Sequence, residues 1–441
     1  MAYTFKGGIH FKENKYTSDC KVEVIPQPPI VKISMDQNTG APSVPVVKVG
    51  DYVRVGQLIG DVPSEDKGCP VHASVSGTVT AIEETCLENG AVVKAVVIEN
   101  DGKDEASDTV TPYTESIRNL TPDDITERIR LAGIAGSEKD PLPVYAKISS
   151  ARGKAECLIV NCVECEPFVT SDRGLLTTRP DEVIKGVKIL MRAVCAPQAY
   201  IAVGKNNKNA ISALRGALGD DKLISVKVVK AKYPQGDERQ LISTLKGREL
   251  SEGNSASDAG CVIFGAEVCA AVYTAFAKGM PYVRRTVTVS GDCVRTPKNL
   301  SVPVGAPASF LVECCGGLVR SPARLISGGP MTGQAQTDLD IPVKKSTFAL
   351  VLLSSSHSKK SSLPASCIRC GRCVANCPMR LMPTYIAKLV QKGDMDGAEH
   401  NGAMSCVECG LCSYSCPGKV DVLQYIREAK DHIRAKSRED V

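Results

Sequence analysis

Two stretches near the C-terminus carry the chemistry most plainly: "CIRCGRCVANCP" at 367–378 and "CVECGLCSYSCP" at 406–417. They place Cys367, Cys370, Cys373 and Cys377 in one run and Cys406, Cys409, Cys412 and Cys416 in the other. Each is a C-x2-C-x2-C-x3-C-P run, the spacing that holds [4Fe–4S] clusters in pairs. Three thiolates so spaced can point inward around three corners of a cubane, and the fourth cysteine serves the neighbouring cluster. The expected ligand sets are Cys367, Cys370, Cys373 and Cys416 for cluster 1, and Cys406, Cys409, Cys412 and Cys377 for cluster 2. Structural zinc would use two CxxC pairs at tetrahedral spacing, which a repeated triple run matches poorly.

Swapped ligation sets the two clusters close together, as an electron relay requires. Arg369, Arg372 and Arg380 surround the first run, whereas Glu408 lies in the second. Positive charge favours the reduced state, so the cluster on Cys367, Cys370 and Cys373 is expected to have the higher potential. Between the runs, "LMPTYIAKLVQKGDMDGAE" has a helical period, so the clusters should sit in a helical domain spanning 360–435.

The rest of the chain must position this relay. Residues 1–110 alternate short apolar runs with glycines, as in "VPVVKVGDYVRVGQLIGD" and "HASVSGTVTAI", which suits a small β-barrel or sandwich. The pattern resembles the barrel-sandwich hybrid of lipoyl-type domains. Lys67 in "SEDKG" is the one candidate carrier lysine; a purely structural barrel is the plainer reading. A polar, acidic linker follows at 100–115. "TPDDITERIRLAGI" then opens a helix, with Thr121 as N-cap, Pro122 in the first turn, and Asp123 and Asp124 complementing the dipole.

From there to 284, strands ("AECLIVNCVE", "QAYIAVG", "LISVKVV") alternate with amphipathic helices ("PDEVIKGVKILMRAV", "KNAISALRGALG"). This predicts a Rossmann-like α/β domain over 120–284 with a parallel sheet. Such sheets bind ligands beyond the strand C-termini. "NCVECEP" (161–167) and "KYPQGDE" (232–238) both follow strands and are candidate site loops. Residues 285–353 return to short strands and turns, as expected of a small β-grasp module. "LLSSSHSKKSSLPAS" then links to the cysteine domain.

The 441 residues suffice for several domains. Lys and Arg are scattered, net charge is +5, and Trp is absent, so nucleic acid is not an expected partner. Twenty cysteines without a recognisable secretion signal at the N-terminus point to a reducing, cytoplasmic setting. No apolar run reaches the roughly 18 residues of a membrane helix, so no transmembrane span is expected. Cys162 and Cys165 form a further CxxC without a thioredoxin-like context, and Cys314–Cys315 reads as packing. The five histidines form no spaced metal set.

"FKGGIH", the "VKVGDYVRVGQLIG … SVSGTV" barrel, "ECEPFVTSDR", "KYPQGDERQLI" and the paired cysteine runs occur in this order over about residues 5–430. Together they resemble the C subunit of the Rnf ion-translocating electron transport complex, a family related to the NADH- and FMN-binding subunit of respiratory complex I. The resemblance implies an SLBB-like β-grasp module and FMN and NADH as cofactor and substrate. Its partners would be other subunits of a membrane complex, together with ferredoxin or a reductase, met on the cytoplasmic face of the membrane.

The resemblance also implies a pocket lined by Asn161, Glu164, Glu166, Tyr233, Gly236, Asp237 and Glu238. The family's Gly-rich loop corresponds to "GIAGSEKDPLPVYAK" (133–147), where Gly133, Gly136, Pro143 and Lys147 remain in register. Glu138 and Asp140 put negative charge where a phosphate belongs. "IFGAEVCAA" (263–271) replaces a segment expected to supply an Asn. These departures motivate an alternative expectation: a flavin-less iron–sulfur relay and docking protein serving a dedicated reductase.

Overall fold

The computed structural model describes residues 3–63, 67–136, 141–357 and 366–439. Glu138 and Asp140 lie outside the described residues.

The barrel packs two antiparallel sheets. One orders Ile30–Ser34, Val92–Asn100, Gly77–Cys86 and Tyr52–Val53; the other orders Val44–Pro45, Leu58–Asp61 and Val71–His72. Alternation turns Val31, Ile33, Val53, Ile59, Val79, Val96 and Ile98 inward to one core. Lys67 lies exposed in the loop before Val71–His72, and its carbonyl accepts from the Ala41 amide.

The first residues stay outside this barrel. Tyr3 pairs with Val229 and Ile9 with Tyr233, and the Gly8 amide donates to the Asn376 carbonyl. Val22–Val24 then joins Lys298–Pro303 as the edge strand of a six-stranded sheet. The N-terminal segment thus straps three modules together. That sheet, with the helix Ala308–Cys314, is the β-grasp-like module.

The central domain is a four-stranded parallel sheet ordered Ile224–Val229, Ala199–Gly204, Cys157–Cys162, Cys261–Gly265. Near-continuous burial along Cys157–Cys162 is what a strand covered on both faces requires. The helix Pro122–Leu131 begins with a capping box in which Thr121 and Asp124 bond reciprocally. Chain order reverses between Cys157–Cys162 and Cys261–Gly265, which is where open α/β sheets leave a crevice.

The cysteine domain is helical: Arg372–Ala375, Pro383–Gln391, Met395–His400, Leu411–Tyr414 and Val422–Glu439. Pro383–Gln391 starts on proline and turns Ile386, Ala387 and Val390 into the core beside Ile426 and Ala429. No helix among the described residues is long and apolar enough to cross a membrane.

Lys345 joins the modules at their centre. Its ammonium is fully buried and donates to the carbonyls of Pro70 (2.8 Å) and Gly133 (2.6 Å).

Candidate functional site

A cavity of about 220 Å³ opens at the C-terminal ends of Cys157–Cys162 and Cys261–Gly265, at the switch point of the sheet. Eight sequence-predicted residues line it: Gly136, Lys147, Asn161, Glu164, Glu166, Gly236, Asp237 and Glu238. Two do not. Gly133 adopts φ +61°, and a Cβ there would meet the Pro70 carbonyl oxygen at 2.2 Å. It is a packing glycine between modules, not part of the pocket. Tyr233 turns away from the cavity toward the cysteine domain.

Most of these side chains build the walls. Asn161 donates to the Gly236 carbonyl (2.8 Å) and accepts from the Val163 amide, tying the two site loops together. Glu164 accepts from the amides of Asp172 and Arg173, closing the N-terminus of the helix Ser171–Thr178. Glu166 accepts from the Met331 amide (3.0 Å) and the Thr332 hydroxyl (2.6 Å), stapling the β-grasp module to the pocket. Asp237 caps the helix Glu238–Lys246, and Glu238 lies 3.7 Å from Lys147. Withdrawal from water raises the Glu164 and Asp172 carboxyls, and the negative charge of Glu164 pushes Asp172 up further.

Other lining residues were not foreseen from the sequence. Gly265 begins the 12-residue helix Ala266–Ala277 with no side-chain cap, so no cap side chain occupies its first amides. A Cβ on Gly265 would meet nothing within 4 Å. A glycine between a buried strand and a long helix was the available signal. Asp172 stands inside the quoted "ECEPFVTSDR". Arg285, 4% exposed, donates to the Tyr282 hydroxyl and Lys345 carbonyl, but its Nε has no hydrogen-bond partner among the described residues. Nothing near Arg285 in the sequence marks it.

An uncapped helix N-terminus, an open glycine, an unpaired Arg285 Nε and an apolar side of Val163, Ile263 and Phe264 fit an anionic, flat, acceptor-rich group such as FMN.

The two cysteine runs have the same backbone. Arg369 and Glu408 share positive φ (57° and 50°), as do Gly371 and Gly410 (74° and 76°) and Arg380 and Lys419 (55° and 56°). Across the runs, Cys377 lies within electrostatic reach of Cys406, Cys409 and Cys412. Cys367 acts on Cys373. A Cβ on Gly418 would lie 3.8 Å from Cys416 Sγ and 2.9 Å from the Ser366 carbonyl oxygen, so Cys416 lies beside the start of the first run. This thiol distribution fits two clusters with exchanged fourth ligands. No three His, Cys, Asp or Glu side chains among the described residues converge on a single-ion site.

Surroundings differ between the sets. Cys367 and Cys370 are exposed, whereas Cys409 and Cys412 are buried. Glu408, the negative charge of the second run, is held by Lys430 (2.5 Å) and Arg427 (3.1 Å). Those cations largely cancel its field, which weakens the expected difference in potential.

The loop Tyr233–Glu238 connects the two sites. Gly236, Asp237 and Glu238 face the cavity, while the buried Tyr233 hydroxyl donates to the Cys409 carbonyl at 2.8 Å. Phe11 of the N-terminal strap stands between Tyr233 and Tyr414, at ring-centroid distances of 5.2 and 5.0 Å. The second CxxC is divided: Cys162 enters the core on one side of the sheet, and Cys165 packs near Tyr233 and Cys409.

Comparison with known proteins matches each module. An RnfC barrel-sandwich hybrid domain covers residues 3–103, and a Nuo51 FMN-binding domain covers 129–274. An SLBB domain covers 286–335 and a 4Fe-4S dicluster domain 359–417. The NAD+-reducing [NiFe]-hydrogenase in its H2-reduced state shares the fold, with a TM-score of 0.50 over 74% of this chain and 64% of that one, at 17% identity. The C subunit of the Na(+)-translocating ferredoxin:NAD(+) oxidoreductase complex of Acetobacterium woodii is 39% identical over 99% of this chain and 98% of that protein. The proton-translocating counterpart of Clostridium ljungdahlii is 37% identical over 99% and 95%. The chain belongs to the RnfC family, the C subunits of ion-translocating ferredoxin:NAD(+) oxidoreductase complexes.

Proposed function

We propose that this protein exchanges electrons with NADH at the cavity and passes them through two [4Fe–4S] clusters to partner subunits and ferredoxin. It would do so as a peripheral subunit on the cytoplasmic face of the membrane. The observation that carries this reading is the Tyr233–Glu238 loop, which forms a wall of the pocket and contacts the backbone of Cys409.

FMN, when bound, converts the two-electron chemistry of a hydride into the single-electron steps of iron–sulfur clusters. The uncapped amides after Gly265 and the Lys147 ammonium would hold its phosphate. Arg285 would donate to an acceptor on the ring system. Asn161 keeps the two loops in register, and Glu166 holds the β-grasp module as the outer wall. Cys367, Cys370, Cys373 and Cys416 would hold the outer cluster; Cys406, Cys409, Cys412 and Cys377 would hold the inner one.

Anaerobic purification followed by extraction tests this directly. About one flavin per chain is expected, and NADH should bleach the cluster absorbance. Clusters present without flavin or NADH response would overturn the reading in favour of a flavin-less relay serving a dedicated reductase.

A further inference from the structure

We infer that Lys15, on the N-terminal strap, is a positioning residue for the cavity. Its ammonium fixes the loop that carries Glu164 and Glu166 and biases the charge of the carboxyls inside. The inference rests on the reading of that cavity as the flavin and NADH site.

Residues 163–170 run from the strand Cys157–Cys162 to the helix Ser171–Thr178 with no helix or strand structure of their own. No ladder sets their path, so the partners of their backbone groups must. Three carbonyls of this one segment converge on Lys15 Nζ: Glu164 at 3.0 Å, Glu166 at 2.9 Å and Val169 at 2.6 Å. Carbonyl dipoles gathered in this way repel one another, and a single ammonium with three donors answers all three. Glu164, Glu166 and Val169 all line the cavity, so the bonded carbonyls belong to pocket residues.

The neighbours of Lys15 reinforce this hold. The Glu13 carbonyl accepts from the Phe168 amide at 2.9 Å, and the Thr17 hydroxyl bonds that of Thr170. The Glu13 carboxylate accepts from the Asn206 side chain at 2.8 Å, tying the strap to the chain just beyond Ala199–Gly204. Phe168 is buried and adopts φ +67°. A bulky side chain is strained there, and such a torsion persists only where the surroundings fix it. The strap supplies that constraint. Lys15 bonds Glu166 and Val169 on either side of Phe168, and Glu13 takes the Phe168 amide itself.

The ammonium also acts through its charge. Its three N–H groups meet neutral carbonyls, which leaves the positive charge to be felt nearby. Burial makes the Glu164 and Asp172 carboxyls hold their protons more tightly, and Lys15 opposes this at both. Arg173 also faces Glu164. Asp172 faces Glu164, Arg285 and, from the helix Ala266–Ala277, Glu267. Cys162, Cys269 and Tyr282 complete its titratable surroundings. Lys15 is the cation shared by Glu164 and Asp172, and it reaches them from a strap about 150 residues away in sequence.

The test uses the full chain with both clusters, freed of flavin, and FMN as the probe. Lys15→Met keeps much of the side-chain length and removes the ammonium. It should bind FMN about tenfold more weakly than wild type in a fluorescence titration. A second readout would not respond to a role in packing alone: the pH titration of the buried carboxyls in flavin-free protein, followed by infrared difference spectroscopy of the protonated C=O stretch. In Lys15→Met these carboxyls should keep their protons to higher pH than in wild type. Should Lys15→Met fail to fold, Lys15→Gln, which retains N–H donors and loses the charge, should show the same upward shift. Wild-type FMN affinity in Lys15→Met would overturn the inference. So would weakened FMN binding with an unmoved carboxyl titration, which would leave Lys15 a packing residue. Wild-type protein that takes up no FMN would count against the flavin reading instead, and the carboxyl titration, made without FMN, would still decide the role of Lys15.

Discussion

The Tyr233 hydroxyl donates to the Cys409 carbonyl at 2.8 Å, with the tyrosine only 1% exposed. One bond thus joins a pocket loop to a cluster loop 176 residues away in sequence. Tyr233→Phe keeps the ring and removes the donor. It should retain both clusters and cost about 1–3 kcal/mol, because the carbonyl loses its partner away from water. Denaturant unfolding followed by cluster absorbance measures this; an unchanged midpoint would show that the bond does not hold the joint.

Two glycines in the pocket should behave oppositely. Gly265→Ala places a methyl in open space, so stability should change by no more than about 1 kcal/mol while flavin occupancy falls. Gly236→Ala would set its Cβ 2.5 Å from the Val163 carbonyl oxygen, forcing the backbone to shift at a cost of about 1–3 kcal/mol. Thermal unfolding and flavin extraction on the pair separate cavity filling from loop distortion. Full flavin content in Gly265→Ala would refute its role as cradle.

Burial pushes the Lys345 ammonium down to about 8. An unfolded lysine keeps its proton to about 10.4. Below the folded value both states are protonated, and the burial penalty is constant. Between the two values the unfolded chain binds more protons, so stability rises with pH. The slope from this group approaches about 1.4 kcal/mol per pH unit. Subtracting Lys345→Met from wild type in denaturant titrations should reveal this rise, since other titrations cancel. A flat difference from pH 8 upward would contradict it.

Cys377 belongs to the first run but lies within electrostatic reach of the thiols of the second, and the repeated run implies that its fourth cysteine serves the neighbouring cluster. Cys377→Ser should therefore convert or empty the cluster of Cys406, Cys409 and Cys412, leaving the other as a four-iron centre. Mössbauer and EPR spectra distinguish the two. Damage confined to the cluster of Cys367, Cys370 and Cys373 would mean that ligation is not exchanged.

Much was legible along the chain because it is locally encoded. The cysteine spacing and repeated run announced paired cluster loops, and the two runs do adopt matched positive φ at Arg369 and Glu408, and at Gly371 and Gly410. Thr121, Pro122 and Asp124 marked a helix start because capping is settled within four residues. Alternating strand and helix periods placed "NCVECEP" and "KYPQGDE" at strand ends, and both reach the cavity.

Only the tertiary structure decided which residues share a site. It moved Gly133 out of the pocket to meet Pro70 and Lys345, and brought Gly265 and Arg285 in. It turned Tyr233 toward Cys409 and ran the N-terminal strap across three modules. Residue type and spacing constrain backbone torsions and the face a side chain takes over a few residues. Which carbonyl that side chain then meets is set by how separately encoded modules bury their surfaces against one another, and no short stretch of the chain carries that information.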